Sequence, residues 1–167
     1  MTAGHHNRPR IYELPHNLFM IKESLRYEWT LELIPQRVTI KASEEEPFIF
    51  DGASIPVIAT FISWLIPFLE TIYPMGVHIY ATAFHDWMFK YQGRLPIGSH
   101  EKFVDGEWVD AGHVWSFTEC NRFFGRLMKE DGTGKNERMV MQASVQSLIG
   151  WINFKKGKIP DDARPAA

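Results

Sequence analysis

The chain has 167 residues, 45% of them apolar and 14% aromatic, which is enough for one folded domain with a real core and too apolar for a disordered chain. Its net charge of −2 leaves no electrostatic case for nucleic-acid binding, so none is expected as a partner. The lone Cys120 excludes an internal disulfide and any Cys-x-x-Cys zinc motif, which favours an intracellular or virion setting over a secreted one.

Residues 1–10 are polar, lack the apolar core of a signal peptide, and read as a tail, as do residues 155–167. A single domain over 1–167 is expected. Leu18 to Lys22 reads as a short strand. From Arg26 to Leu33 the residues Tyr27, Trp29, Leu31 and Leu33 alternate with polar ones, the period of a half-buried strand, and Val38 and Ile40 continue the pattern after Pro35-Gln36. Glu44-Glu45-Glu46-Pro47 is a solvated turn, and Phe48-Ile49-Phe50 leads into Asp51-Gly52-Ala53-Ser54-Ile55-Pro56.

From Pro56 the pattern turns helical, with Ser54 or Asp51 placed to cap. The stretch Gly52 to Leu69 is uncharged, but Pro56 and Pro67 interrupt it. It reads as buried or interfacial, with at most a weak peripheral membrane contact and no transmembrane span. Val77 to Tyr91 is the next helix. Residues 93–114 form a wing around a hairpin, because Asp105-Gly106 suits a two-residue turn. Helices follow over Thr118–Glu130 and Asn136–Phe154, the latter with a core face of Val140, Ala143, Leu148 and Trp151. Trp64 and Trp87 are further core residues. The fold class is therefore α+β: N-terminal antiparallel strands, then a mainly helical bundle with a small hairpin wing.

The pair His85-Asp86 stands out. Between Asp51 and Asp86 the only charged residue is Glu70, and a histidine with a carboxylate is costly to bury in such a segment unless something pairs with it. A histidine acting as general base needs one ring nitrogen free and the other oriented by an acceptor. His85 shares a helix face with Ala81, and Asn121 shares one with Gly125; these small residues would let the two helices approach and bring Asn121 to the imidazole. His78 lies two turns before His85 and reads as a half-buried, satisfied histidine. Asp86 points about 100° away around the helix, poorly placed to orient the same ring and better placed to bind a cation, cap a loop or pair with Arg94 or Arg122. Asp51 could fold over this face. Against a catalytic reading stands a structural one, in which the pair holds a loop to a helix. Ser54 is no serine nucleophile, since Gly-Ala-Ser-Ile-Pro is no nucleophile elbow.

An Asp-x-Ala-Ser-Ile-Pro loop, a His-Asp-Trp-x-Phe helix, a polar-Phe helix and a terminal helix with Gly-Trp, in that order over roughly Phe48 to Trp151, resemble the DUF1353 family. That resemblance implies a phage or prophage accessory protein. Where the family usually has Ala-Asp, this chain has Cys120-Asn121. There is also a similarity to the two-helix arrangement of phospholipase A2, in which a histidine activates water, its neighbouring Asp binds calcium, and an Asp on the next helix orients the ring. Carried over, it implies a hydrolase of a lipid ester or cell-wall bond. His85 would be the base, Asn121 and Asp51 would orient, and Asp86 with Asp51 would ligate a divalent cation such as calcium. The chain lacks that family's calcium loop and disulfides, and an Asn at 121 can accept the ring N–H but cannot stabilise the imidazolium by charge. The implied setting is host cytoplasm or virion, with phage structural proteins or a host envelope component as partners. The competing expectation is a non-enzymatic virion or assembly protein, with Trp108 and Trp115 exposed for an interface.

Overall fold

A computed structural model describes residues 4–51, 78–157 and 159–165, the side chains of Asn17 and Leu148 excepted. The helix expected from Pro56, its cap candidate Ser54, the uncharged stretch Gly52 to Leu69 and Trp64 lie outside the described residues. No helix among the described residues is long and apolar enough to cross a membrane.

The fold is α+β. Among the described residues eight strands, β1 (His5–His6), β2 (Ile11–Leu14), β3 (Leu18–Ile21), β4 (Leu25–Leu31), β5 (Ile34–Ile40), β6 (Phe48–Phe50), β7 (His100–Val104) and β8 (Glu107–Asp110), form two antiparallel sheets. The larger runs β1-β4-β5-β7-β8 and the smaller β2-β3-β6. Among the described residues four α-helices pack on the strands: α1 (Ile79–Lys90), which lies between β6 and β7 in the chain, and after β8 α2 (Phe117–Glu130), α3 (Lys135–Val145) and α4 (Leu148–Lys156).

Alternation on β4 buries Leu25, Tyr27 and Trp29 against the helices while Arg26 stays exposed. Tyr27 meets Phe84 of α1 and Phe123 of α2 edge-on, with ring centroids 6.3 and 5.4 Å apart. Its hydroxyl donates to Glu130 at 2.5 Å, so the buried phenol is satisfied. Helix α1 is buried on most sides, from Ala81 through His85 to Trp87 and Met88. That is why it lacks the one-sided apolar stripe of a surface helix.

Several expectations change. The strand expected to run through Leu33 stops at Leu31, and the turn between β4 and β5 falls at Glu32-Leu33: Leu31 pairs with Ile34, and both turn residues have positive φ, 51° and 69°. A type I′ turn requires that backbone, and Leu33 is consequently 93% exposed rather than part of the core. The Asp105-Gly106 hairpin forms as expected, but β7 pairs with β5, so the wing extends the main sheet. The single helix expected over Asn136–Phe154 is two. Ser147 caps α4 by accepting the Gly150 N–H, and a side chain at Gly150 would meet the Val145 carbonyl at 2.0 Å. The buried face there is Met141, Gly150 and Phe154; Ala143 is exposed and Trp151 is 45% exposed. Trp115 is buried: its backbone N–H donates to the Gly93 carbonyl and its ring packs on Trp29, His100 and Phe123. Trp108 is half-buried under the Arg37 guanidinium, 4.2 Å from the ring centre.

Both stretches read as tails are anchored where described. β1 pairs with β4 and His6 Nε2 lies 2.9 Å from Asp131 Oδ1. Arg164 donates to Asp110 at 2.6 Å, and Tyr91 donates to Asp162 at 3.2 Å.

Candidate active site

His85 projects from the middle of α1 toward α2, where its Nε2 lies 3.0 Å from Asn121 Oδ1. Asn121 is fully buried, and its Nδ2 donates to the Val145 carbonyl at the end of α3, 3.4 Å away. The second bond fixes the amide orientation: the oxygen faces the ring, so the ring nitrogen facing it carries the proton. The free lone pair of a neutral His85 is then on Nδ1. The ring is packed against Phe89 and Phe124, with centroids 3.9 and 4.8 Å away. These contacts and the Asn121 bond hold one rotamer.

Asp86 meets the ring from the other side. Its Oδ1 is 3.6 Å from His85 Nδ1, beyond an ordinary hydrogen bond but within the reach of an ion pair. Helix spacing alone directs Asp86 about 100° away from this ring; its side chain bends back toward Nδ1 instead. Its other oxygen accepts the Asp51 backbone N–H at 3.3 Å, which ties the end of β6 to α1. Burial, and after it the neighbouring Asp51 carboxyl, push the Asp86 carboxyl up to about 6, with His85 opposing. Neither arginine proposed for Asp86 reaches it: Arg122 is exposed, and Arg94 lies beyond α1, its carbonyl accepting from Arg164.

His85, Asp86 and Asp51 line one cleft of about 580 Å³. Leu18, Phe48, Phe50 and Phe89 give it an apolar wall, and Lys90, Ser144 and Asn153 give it polar edges. The cleft was not legible in advance, since β3, β6, α1, α3 and α4 all contribute to it. Lys90 alone carried a signal, being four residues after Asp86 and so on the same helix face.

The remaining candidates fall elsewhere. Gly125 does not serve the approach of α1; a side chain there would meet Gln142 of α3 at 1.7 Å. His78 is buried at the start of α1, its Nδ1 3.1 Å from Thr133 Oγ1 and its Nε2 3.3 Å from Glu137, and burial lowers its pKa. Cys120 is fully buried, and desolvation pushes its thiol far up, which removes it as a nucleophile. Among the described residues no group of three or more His, Cys, Asp or Glu side chains is gathered as a metal centre. Two carboxyls, Asp51 and Asp86, are what the described part of the cleft offers a cation.

An α+β chain with a buried His-Asn pair and two carboxyls on one cleft defines the class of protein. Its sequence matches, over residues 19–145, the family described as protein of unknown function (DUF1353), and the chain belongs to that family. No curated protein and no solved structure matches it.

Proposed function

We propose that the chain is a phage- or prophage-derived accessory hydrolase that uses His85 as general base on a lipid ester or cell-wall bond. The observation that carries this reading is the opening of the His85-Asp86-Asp51 constellation onto a cleft, with the ring held by Asn121 and its Nδ1 turned away from that partner. A group serving packing alone has no need of a cleft. The apolar wall suits an acyl chain, so a lipid ester is favoured over a glycan bond. The phage origin and a host-envelope source of substrate rest on the family resemblance.

In this reaction Nδ1 takes a proton from water as the water oxygen adds to the acyl carbon. Asp86 stabilises the imidazolium so formed, in place of the charge that Asn121 cannot supply. The imidazolium then returns the proton to the leaving oxygen as the acyl–oxygen bond breaks, giving an acid and an alcohol. A divalent cation such as calcium would be held by Asp51 and Asp86 and would polarise the acyl oxygen. Calcium takes roughly six to eight oxygens, so water or substrate would complete its shell.

A second reading has its own observation. Asp86 accepting the Asp51 N–H, and the chain His85–Asn121–Val145, tie β6, α1, α2 and α3 together as a purely structural network would. The chain would then be a non-enzymatic virion or assembly protein, and the exposed Leu33, Ile34 and Phe103 at one end of the main sheet would replace Trp115 in its interface.

Hydrolysis of p-nitrophenyl esters from short to long acyl chains separates the two. The hydrolase reading expects turnover that falls by roughly 100-fold or more in folded His85→Ala. No turnover on any ester, or equal rates in wild type and variant, would support the structural reading.

A further inference from the structure

Lys90 is exposed at the end of α1 and lines the same cleft as His85 and Asp86. It stands four residues after Asp86, the spacing at which opposite charges pair on a helix. It does not take that partner: among the described residues its ammonium makes no ion pair. Nζ instead sits 5.9, 5.7 and 5.5 Å from the ring centres of Phe48, Trp87 and Tyr91. Three ring faces hold the cation in place without neutralising it.

Among the described lining residues Lys90 is the one lysine or arginine, Asp51 and Asp86 are the carboxyls, and Ser144 and Asn153, from α3 and α4, add neutral donors. Leu18, Phe48 and Phe50 provide the apolar surface beside it. A neutral fatty ester would use the apolar surface and leave the ammonium unanswered. A free inorganic anion would use the ammonium and leave the apolar surface wet. One ligand chemistry uses both, a single apolar chain ending in an anionic group.

We propose that the cleft selects an anionic amphiphile, with Lys90 as the residue that binds its phosphate or carboxylate. For substrate selection this rests on the hydrolase reading, and it makes the leaving or acyl portion next to the scissile bond negatively charged. Lys90 is a specificity residue here and takes no part in the proton transfers.

The test is calorimetric titration of the full chain with decyl phosphate, decyl glucoside and inorganic phosphate, the decyl compounds kept below micelle formation. Wild type should bind decyl phosphate roughly tenfold or more tightly than either of the other two, the size of one charge-assisted contact. Lys90→Ala should lose that preference and Lys90→Arg should keep it, with unchanged circular dichroism in both. Equal affinity for the two decyl compounds, a preference that survives Lys90→Ala, tighter binding of inorganic phosphate alone, or no binding would each overturn the proposal. Failure of the hydrolase reading shows separately, as wild type inert on esters while the binding preference persists.

Discussion

Asp86 imposes a cost that stability measurements can resolve. Its carboxyl is shifted from an ordinary 3.8 to about 6, first by burial and then by the Asp51 carboxyl. At about 1.4 kcal/mol per unit, two units amount to roughly 3 kcal/mol of destabilisation by the ionised form. Its side chain is 22% exposed, so screening removes little of this. The sign follows from proton counts. Between pH 3.8 and 6 the native state holds a proton that the unfolded chain has released, so stability falls as pH rises through that window. Below it the cost is absent, and above it the cost is complete. Asp86→Asn removes the titration, keeps an acceptor for the Asp51 N–H and preserves the volume. The variant should match wild type near pH 3.5 and exceed it by about 1–3 kcal/mol at pH 7 in urea unfolding. A difference that is constant across pH, or that shrinks as pH rises, would refute the burial argument.

Two further outcomes follow from the same contacts. Asn121→Leu leaves the His85 ring N–H and the Val145 carbonyl without their partner, and should lower stability by about 1–3 kcal/mol in the same assay. Loss of ester hydrolysis should accompany it, because the ring is then free to change tautomer. At the β4–β5 turn, replacing Glu32-Leu33 by Asn-Gly relieves two positive-φ positions and removes an exposed leucine; it should raise Tm, with a gain of about 1 kcal/mol, and a fall in Tm would contradict the turn geometry.

What was legible in the residues was whatever short-range periodicity encodes. The strand alternation at Tyr27 and Trp29, the Asp105-Gly106 turn and the helix around His85 follow from local spacing, and the structure has them; Leu31, next to the turn, is exposed instead. The approach of Asn121 to His85 was legible because each sits at a definite phase on its own helix. The β4–β5 turn was missed because Glu32-Leu33 contains neither Gly, Asn nor Pro, while Pro35 nearby does; Pro35 sits in β5, before its pairing with β7 starts at Gln36. The break between α3 and α4 was masked by a continuing apolar pattern, although Ser147 with Gly150 three residues on carried the signal. The start of α2 was legible to one residue more than was used, since Ser116 and Glu119 form a capping box. Burial of Trp115 and the walls of the cleft depend on contacts between residues far apart in the chain, which spacing along one element cannot register.

The central claim is that His85 is held by Asn121 with Nδ1 as its basic nitrogen. Long-range proton–nitrogen correlation of the ¹⁵N-labelled chain reads that tautomer directly. At a pH where the ring is neutral, the spectrum should show His85 protonated on Nε2, and the assignment should collapse to a tautomer mixture in Asn121→Leu. A ring protonated on Nδ1 in the wild-type chain would contradict the account, because the nitrogen assigned as the base would then carry the proton.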